Sequence, residues 1–207
     1  MKSCTCPVSA AIAEISEDAC NYDFGQIQKI AVQRKYSTGT TRNVFADLAT
    51  IQAVANWTTL MAAIDGTKVQ VLSHIANPTF TPGAIKEYGS DNQVPNGIPR
   101  TVGSEHTLAE FELLSISPTI AAEIKDLACE DLQVYLFNEN GQIGCLKNSD
   151  DEYHGIGIEQ LFVSDRGFGG FAEPDKVMLS FKLRPNWSDT LQFVTPSDFN
   201  PLTDLAN

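Results

Sequence analysis

TLAEFELLSISPTIAAEIKDLACEDLQVYLFNENGQIGCL, residues 107–146, carries a strand, a capped helix and a hairpin in close succession. Residues 107–116 predict a strand. Ser117-Pro118 then predicts a helix start, with Ser as N-cap and Pro at the first helical position. Ile120, Ala121, Ile124, Leu127 and Ala128 share one apolar face that closes at Cys129. LQVYLF, 132–137, predicts a second strand. Asn138-Glu-Asn-Gly141 predicts a tight turn, and 142–146 its hairpin partner.

The pattern continues toward the C-terminus. Residues 156–164 predict a strand, and Asp165-Arg-Gly-Phe-Gly-Gly170 a glycine-rich connection. Residues 176–184 alternate most cleanly, with Val177, Leu179, Phe181 and Leu183 set against Lys176, Met178, Ser180, Lys182 and Arg184. A last short strand is expected at 190–194, before an apolar-acidic tail.

Toward the N-terminus, 27–36 predicts a strand with Ile30 and Val32 on one face and Lys29, Gln33 and Lys35 on the other. A turn cluster follows at 37–41. Residues 43–64 predict one long helix whose apolar positions, from Phe45 through Trp57 to Ile64, recur mostly in threes. Such a stripe winds around a helix and meets two surfaces. Asp65-Gly66 ends it, and 68–75 predicts another strand. A short helix is expected at 9–20.

Residues 77–106 differ. They hold Pro78, Pro82, Pro95 and Pro99 and Gly83, Gly89, Gly97 and Gly103, with no regular period. A loop of ~30 residues is rare in a compact domain unless it has a function or a partner. Phe80, Ile85, Tyr88, Val94 and Ile98 are scattered through it, so it reads as an extended arm whose apolar residues form a subunit interface. The fold class is therefore α+β: a mainly antiparallel β-sandwich or barrel, with one or two packed helices and a long extended arm. One domain is expected over 1–207, with 1–24 a terminal segment and 77–106 the arm.

The chain has 207 residues and a net charge of −12. All of the imbalance sits in residues 104–207, where six bases face eighteen acids. An acidic surface repels phosphate and argues against DNA held through Lys and Arg. No apolar run approaches the ~18 residues needed to cross a bilayer. Lys2 is followed by no apolar core, so no secretory signal is expected.

No catalytic or metal site is expected, and no cofactor. Cys4, Cys6, Cys20, Cys129 and Cys145 read as reduced thiols. Cys4-Thr-Cys6 would need Cys20 and a distant fourth ligand to hold zinc. Cys129 and Cys145 read as small packed hydrophobes. His74, His106 and His154 stand at no metal-ligand spacing. Asp150-Asp-Glu152 lacks the calcium-loop pattern and reads as a solvated loop. Gly167–Gly170 precedes a strand and not a helix, so it cradles no phosphate. Ser104-Glu105-His106 has no nucleophile elbow.

The Pro/Gly arm at 77–106, the strand–helix–strand unit at 107–137 with its NENG hairpin, and LSFKLRPNWSDTLQF at 179–193 together resemble the tail tube subunits of long-tailed bacteriophages. The resemblance implies a non-enzymatic structural subunit of a virion tail, assembled in the host cytoplasm. It implies homo-oligomeric rings, hexameric, stacked with other virion proteins into a tube. An acidic lumen would pass DNA without specific binding, and no membrane is involved. A head, connector or decoration protein is the alternative, and a β-sandwich binding module a second one. With only Trp57 and Trp187, a sugar-stacking platform is poorly supplied.

Chelation tests the absence of a metal site. EDTA is expected to leave the melting temperature unchanged in calorimetry, whereas a clear loss of stability would restore Cys4/Cys6 or Asp150–Glu152 as ligands.

Overall fold

The computed structural model describes residues 23–73, 75–89 and 99–205. The helix expected at 9–20, Cys4, Cys6, Cys20, His74, Val94 and Ile98 lie outside them. The strands are β1 (Ile27–Arg34), β2 (Tyr36–Thr38), β3 (Thr41–Arg42), β4 (Val69–Leu72), β5 (Ile75–Thr81), β6 (Ile85–Tyr88), β7 (Arg100–Ser104) and β8 (Thr107–Leu114). They continue as β9 (Leu132–Asn138), β10 (Ile143–Lys147), β11 (Tyr153–His154), β12 (Ile156–Val163), β13 (Lys176–Leu183) and β14 (Leu191–Val194). The helices are α1 (Leu48–Gln52), α2 (Val54–Ala62), α3 (Pro118–Asp126) and α4 (Pro201–Asp204).

All strand pairings among the described residues are antiparallel. One layer runs β4-β1-β9-β10-β14 and the other β12-β13-β8-β5. The β11–β12 segment joins them. It pairs with β10 and β9 at its start, then crosses to β13. The outer strands β4, β14 and β5 do not pair with one another, so of the two expected forms the fold is a sandwich and not a closed barrel.

Strand β9 organises both cores, since all seven of its residues are buried. Leu132, Val134 and Leu136 face the second layer and pack with Phe111, Leu113, Val177, Leu179, Phe181 and Leu183. The alternation read at 176–184 and 107–116 is what supplies this inner face. Tyr135 and Phe137 point the other way, against α1 and α2. There Trp57 lies 4.9 Å from Phe45, 5.1 Å from Tyr135 and 5.6 Å from Phe137, ring centre to ring centre. Helix α3 covers an end of the first core through the buried Ile124. Its start is as read: Ser117 Oγ accepts from the Ile120 N–H at 3.2 Å.

The single helix expected at 43–64 is two helices, broken at Ala53 (φ −96°, ψ 126°). Residues before Asp47 belong to the sheet region. Phe45 exchanges both backbone hydrogen bonds with Tyr153, and the Asn43 side chain donates to the carbonyls of Arg34 and Gly66. Asp47 caps α1 by accepting from the Thr50 N–H at 2.7 Å. The break leaves the Ile51 carbonyl free to accept from Trp57 Nε1 at 2.8 Å, while Asp198 accepts from the Val54 N–H. A winding stripe in one straight helix would have turned away from the sheet. Two short helices let Ile51 and Trp57 both face it.

The polar face read on β1 is not a solvent face. Lys29 and Gln33 are buried beside the helical layer. Lys29 Nζ donates to the carbonyls of Leu202 and Leu205, and Gln33 Nε2 to that of Thr67. The stretch 77–106 is not one structureless loop either. Its first part is β5, paired with β8 around a bulge between Ala76 and Thr79, where Asn77 takes φ 49°. Beyond it, β6 and β7 form a hairpin.

Trp57→Ala empties the centre of the helical core and removes the hydrogen bond to Ile51. It is expected to destabilise the fold by about 3–5 kcal/mol in urea unfolding, with the far-ultraviolet sheet signal retained in the folded baseline.

Candidate functional site

The β6–β7 hairpin projects away from the sandwich. Ile85, Tyr88 and Val102 are each more than 60% exposed, and Ser104 alone in the two strands is not fully exposed. The strands pair from Ile85↔Ser104 to Tyr88↔Arg100. Neither pairs with another described strand, so each keeps an open edge of backbone donors and acceptors. Glu105 N–H donates to the Ala84 carbonyl at 2.8 Å and clamps the base. Gly83 makes the close approach there, because a Cβ would fall 2.1 Å from the Glu105 oxygen.

The five predicted interface residues therefore separate. Ile85 and Tyr88 are exposed on the hairpin. Phe80 is not part of it. Its ring meets Phe111 edge-on at 5.7 Å and Trp187 at 6.2 Å, packed on the chain's own core. Val94 and Ile98 lie outside the described residues. Val102 shares the hairpin surface and was missed, because in a glycine- and charge-flanked stretch it shows no period.

A second apolar projection is the loop between β12 and β13. Phe168 and Phe171 stand almost wholly in solvent. The loop read as a flexible connection is tied down. Gly167 and Lys176 exchange backbone hydrogen bonds, Gly169 N–H donates to Asp175 Oδ1 at 3.1 Å, and Arg166 reaches the Ile116 carbonyl. A groove of about 580 Å³ lies between α3 and β1–β4, with Val32, Leu72, Ile120, Ile124 and Leu127 in its walls.

Most bases of the acidic half are used locally. Lys125 pairs with Asp165, Lys147 with Asp151, Arg166 with Asp175, Lys176 with Glu112 and Arg184 with Glu159. These partners hold the Glu112, Glu159 and Asp165 carboxyls below their ordinary range. Lys182 has no ion pair among the described residues, and the remaining carboxylates of residues 104–207 far outnumber it. The outer face of the β12-β13-β8-β5 layer mixes Glu110, Glu112 and Glu159 with Lys176 and Lys182, so it is not of one sign.

Among the described residues no group of three or more His, Cys, Asp or Glu is placed to hold a metal ion. In the 150–152 loop Asp151 binds Lys147 and Glu152 accepts from Asn148. His106 pairs with Glu159 at 3.0 Å. Cys145 is buried and its thiol is pushed up to about 12 by that burial. Cys129, read as a packed hydrophobe, is exposed, because the 3₁₀ turn after α3 swings it off the apolar face. No described helix is long and apolar enough to cross a membrane.

Among the described residues, His154 is the buried histidine. Its Nδ1 lies 2.8 Å from Arg42 Nη2 and 2.8 Å from the Gly155 carbonyl oxygen. One ring nitrogen cannot accept from the first and donate to the second together. Burial and the neighbouring Arg42 charge lower its pKa and keep it neutral.

No protein-family model and no curated protein matches the chain. Two solved structures are similar to it in part. One is the tail of an empty gene transfer agent particle, reconstructed with C6 symmetry, at 8% identity and a TM-score of 0.35, covering 61% of this chain and 86% of that one. The other is the virion of a native gene transfer agent particle, also at 8% identity and 0.35, covering 60% and 88%. At this level the overlap is partial, and no residue of this chain takes a role from it.

The neutral His154 makes stability depend on pH. The unfolded histidine takes up a proton near pH 6.5, whereas the folded one does so only at lower pH. The contribution is therefore complete above pH 6.5 and is lost as pH falls through the window below it. The melting temperature is expected to drop between pH 7 and 5, above the range of the carboxylates, and His154→Asn is expected to flatten that slope.

Proposed function

We propose that this chain is a self-assembling structural subunit of a phage virion, a tail tube protein whose stacked hexameric rings conduct DNA. The observation that carries the reading is the β6–β7 hairpin: Ile85, Tyr88 and Val102 are exposed on a ribbon whose outer edges pair with no other described strand. A two-stranded ribbon is marginal by itself in water. Docking on a neighbouring copy would bury its apolar residues and pair its edges by strand addition. The exposed Phe168 and Phe171 and the open edges β4, β5 and β14 offer further contacts for a ring.

The surplus of carboxylates at 104–207 supports a conduit that DNA passes without sticking. Side chains lining the bore would then be acidic more often than basic. A head, connector or decoration subunit would use the same hairpin without building a tube.

Replacing residues 85–104 by Asn-Gly tests the reading, because Ala84 and Glu105 are already paired at the base and Phe80 stays in the core. The variant is expected to fold as a monomer and to form no rings or tubes in negative-stain microscopy, where the intact chain forms them. Normal assembly of the variant would remove the hairpin from the interface. Isolated rings of the intact chain would favour the connector, and monomers would end the assembly reading.

A further inference from the structure

We propose that the cleft between Arg42, Lys35, His154 and Arg184 is an oxyanion site, taking a carboxylate or phosphate group on the Arg42 guanidinium. Arg42 ends β3, Lys35 lies between β1 and β2, His154 ends β11 and Arg184 follows β13. Three cationic side chains and the neutral His154, from distant parts of a strongly acidic chain, thus line one cleft of about 240 Å³. Leu146, Ile156, Ile158 and Trp187 supply its apolar walls. In such surroundings a charged hydrogen bond is stronger than in water.

The guanidinium is under-used. It has five N–H donors, and its hydrogen bond to a described residue is the one from Nη2 to His154 Nδ1. That bond competes with the Gly155 carbonyl for the same nitrogen. Nε is buried and has no hydrogen-bond partner among the described residues. No carboxylate of the described residues stands within ion-pair distance of Arg42, whereas the described Arg34, Arg166 and Arg184 each have one. Burial lowers its pKa and outweighs the opposing attraction of nearby groups, Asp131 and Glu152 among them.

The two carboxylates that line the cleft, Asp131 and Glu159, make no ion pair with Arg42, although Asp131 attracts it from a distance. Glu159 is held by Arg184 at 2.5 Å and by His106 at 3.0 Å. Asp131 is mostly exposed and stands 3.9 Å from Lys35. A planar or tetrahedral oxyanion entering the cleft would accept from the free donors of Arg42 with Lys35 and Arg184 beside it. It would also end the competition at His154, since Arg42 would no longer depend on Nδ1. The occupant is either free phosphate or an acidic side chain of a second copy of this chain. The two share the chemistry and differ in their effect on self-association.

Inorganic phosphate is the probe, titrated against chloride at matched ionic strength and followed by melting temperature and by backbone amide shifts at Thr41–Asn43 and His154–Gly155. The intact chain is expected to gain several degrees and to show saturable shifts at those amides. Arg42→Gln is expected to bind about tenfold more weakly or worse. If Arg42→Gln folds poorly, Arg184→Gln and Lys35→Gln on the rim are expected to weaken binding in its place. Equal melting in phosphate and chloride, shifts confined to other residues, or unchanged binding in all three variants would overturn the site. Sedimentation of the intact chain then separates the sources. Phosphate that dissolves multimers identifies a neighbour's carboxylate as the occupant, and phosphate that binds without altering them identifies a free anion. Binding is read on the chain itself, so loss of the tube reading would leave the site standing.

Discussion

A strand buried on both faces can carry few polar side chains, each needing an internal partner, and β9 is under that constraint along its whole length. Its even-numbered residues complete the sandwich core and its odd-numbered residues complete the core under α1 and α2. The one amide pointing into the helical side, Gln133, spends its Nε2 donors on Gln33 Oε1 and the Asn43 carbonyl, both at 2.9 Å, while its Oε1 has no partner among the described residues. Asn138 closes the strand by serving the turn, accepting from the Asn140 and Gln142 N–H groups. Because β1 pairs with β9 from Ile27 to Arg34, the same condition passes to its neighbour, and Lys29 and Gln33 are buried with backbone carbonyls as partners. The three-layer arrangement follows: a second sheet on one side, helices on the other, and hairpins left over at the rim.

What is left over is apolar and charged in places a monomer does not need. Surface apolar residues are ordinary one at a time. Here they are grouped on two elements braced by hydrogen bonds, the β6–β7 hairpin and the loop bearing Phe168 and Phe171. Both hold their side chains out instead of folding them back onto the core. Ion pairing follows a similar division. Exposed pairs such as Lys125–Asp165 contribute little to stability, but they occupy nearly all the bases of the acidic half. The surplus of negative charge therefore faces solvent, while the convergent positive charge sits in one apolar-walled cleft around Arg42.

Local chemistry was legible in the sequence. The alternation at 176–184, the Ser117 cap with Pro118 behind it, and the Asn138–Gly141 turn all depend on residues within a few positions of one another, and the structure contains each of them. These features determined a mainly antiparallel α+β fold, with sandwich and barrel both open, and the structure is a sandwich. The exposed Ile85 and Tyr88 were also legible, because scattered apolar residues among turn formers have no core to join.

Long-range packing decided the rest. The break at Ala53 depends on Asp198 and on the indole of Trp57, not on any helix breaker. Strand β5 is hidden by Pro78 and by a left-handed Asn77, and it exists because β8 offers it an edge and Phe111 offers Phe80 a ring. Burial of Lys29 and Gln33 could not be read from an alternation that marks polar residues as solvent-facing. Arg42 and His154 are 112 positions apart. Sequence determined which segments alternate, cap and turn, since those are contests between neighbours for backbone hydrogen bonds and apolar faces. Only the tertiary structure decided which polar faces are buried and which charges meet, since both depend on what another part of the chain places opposite them.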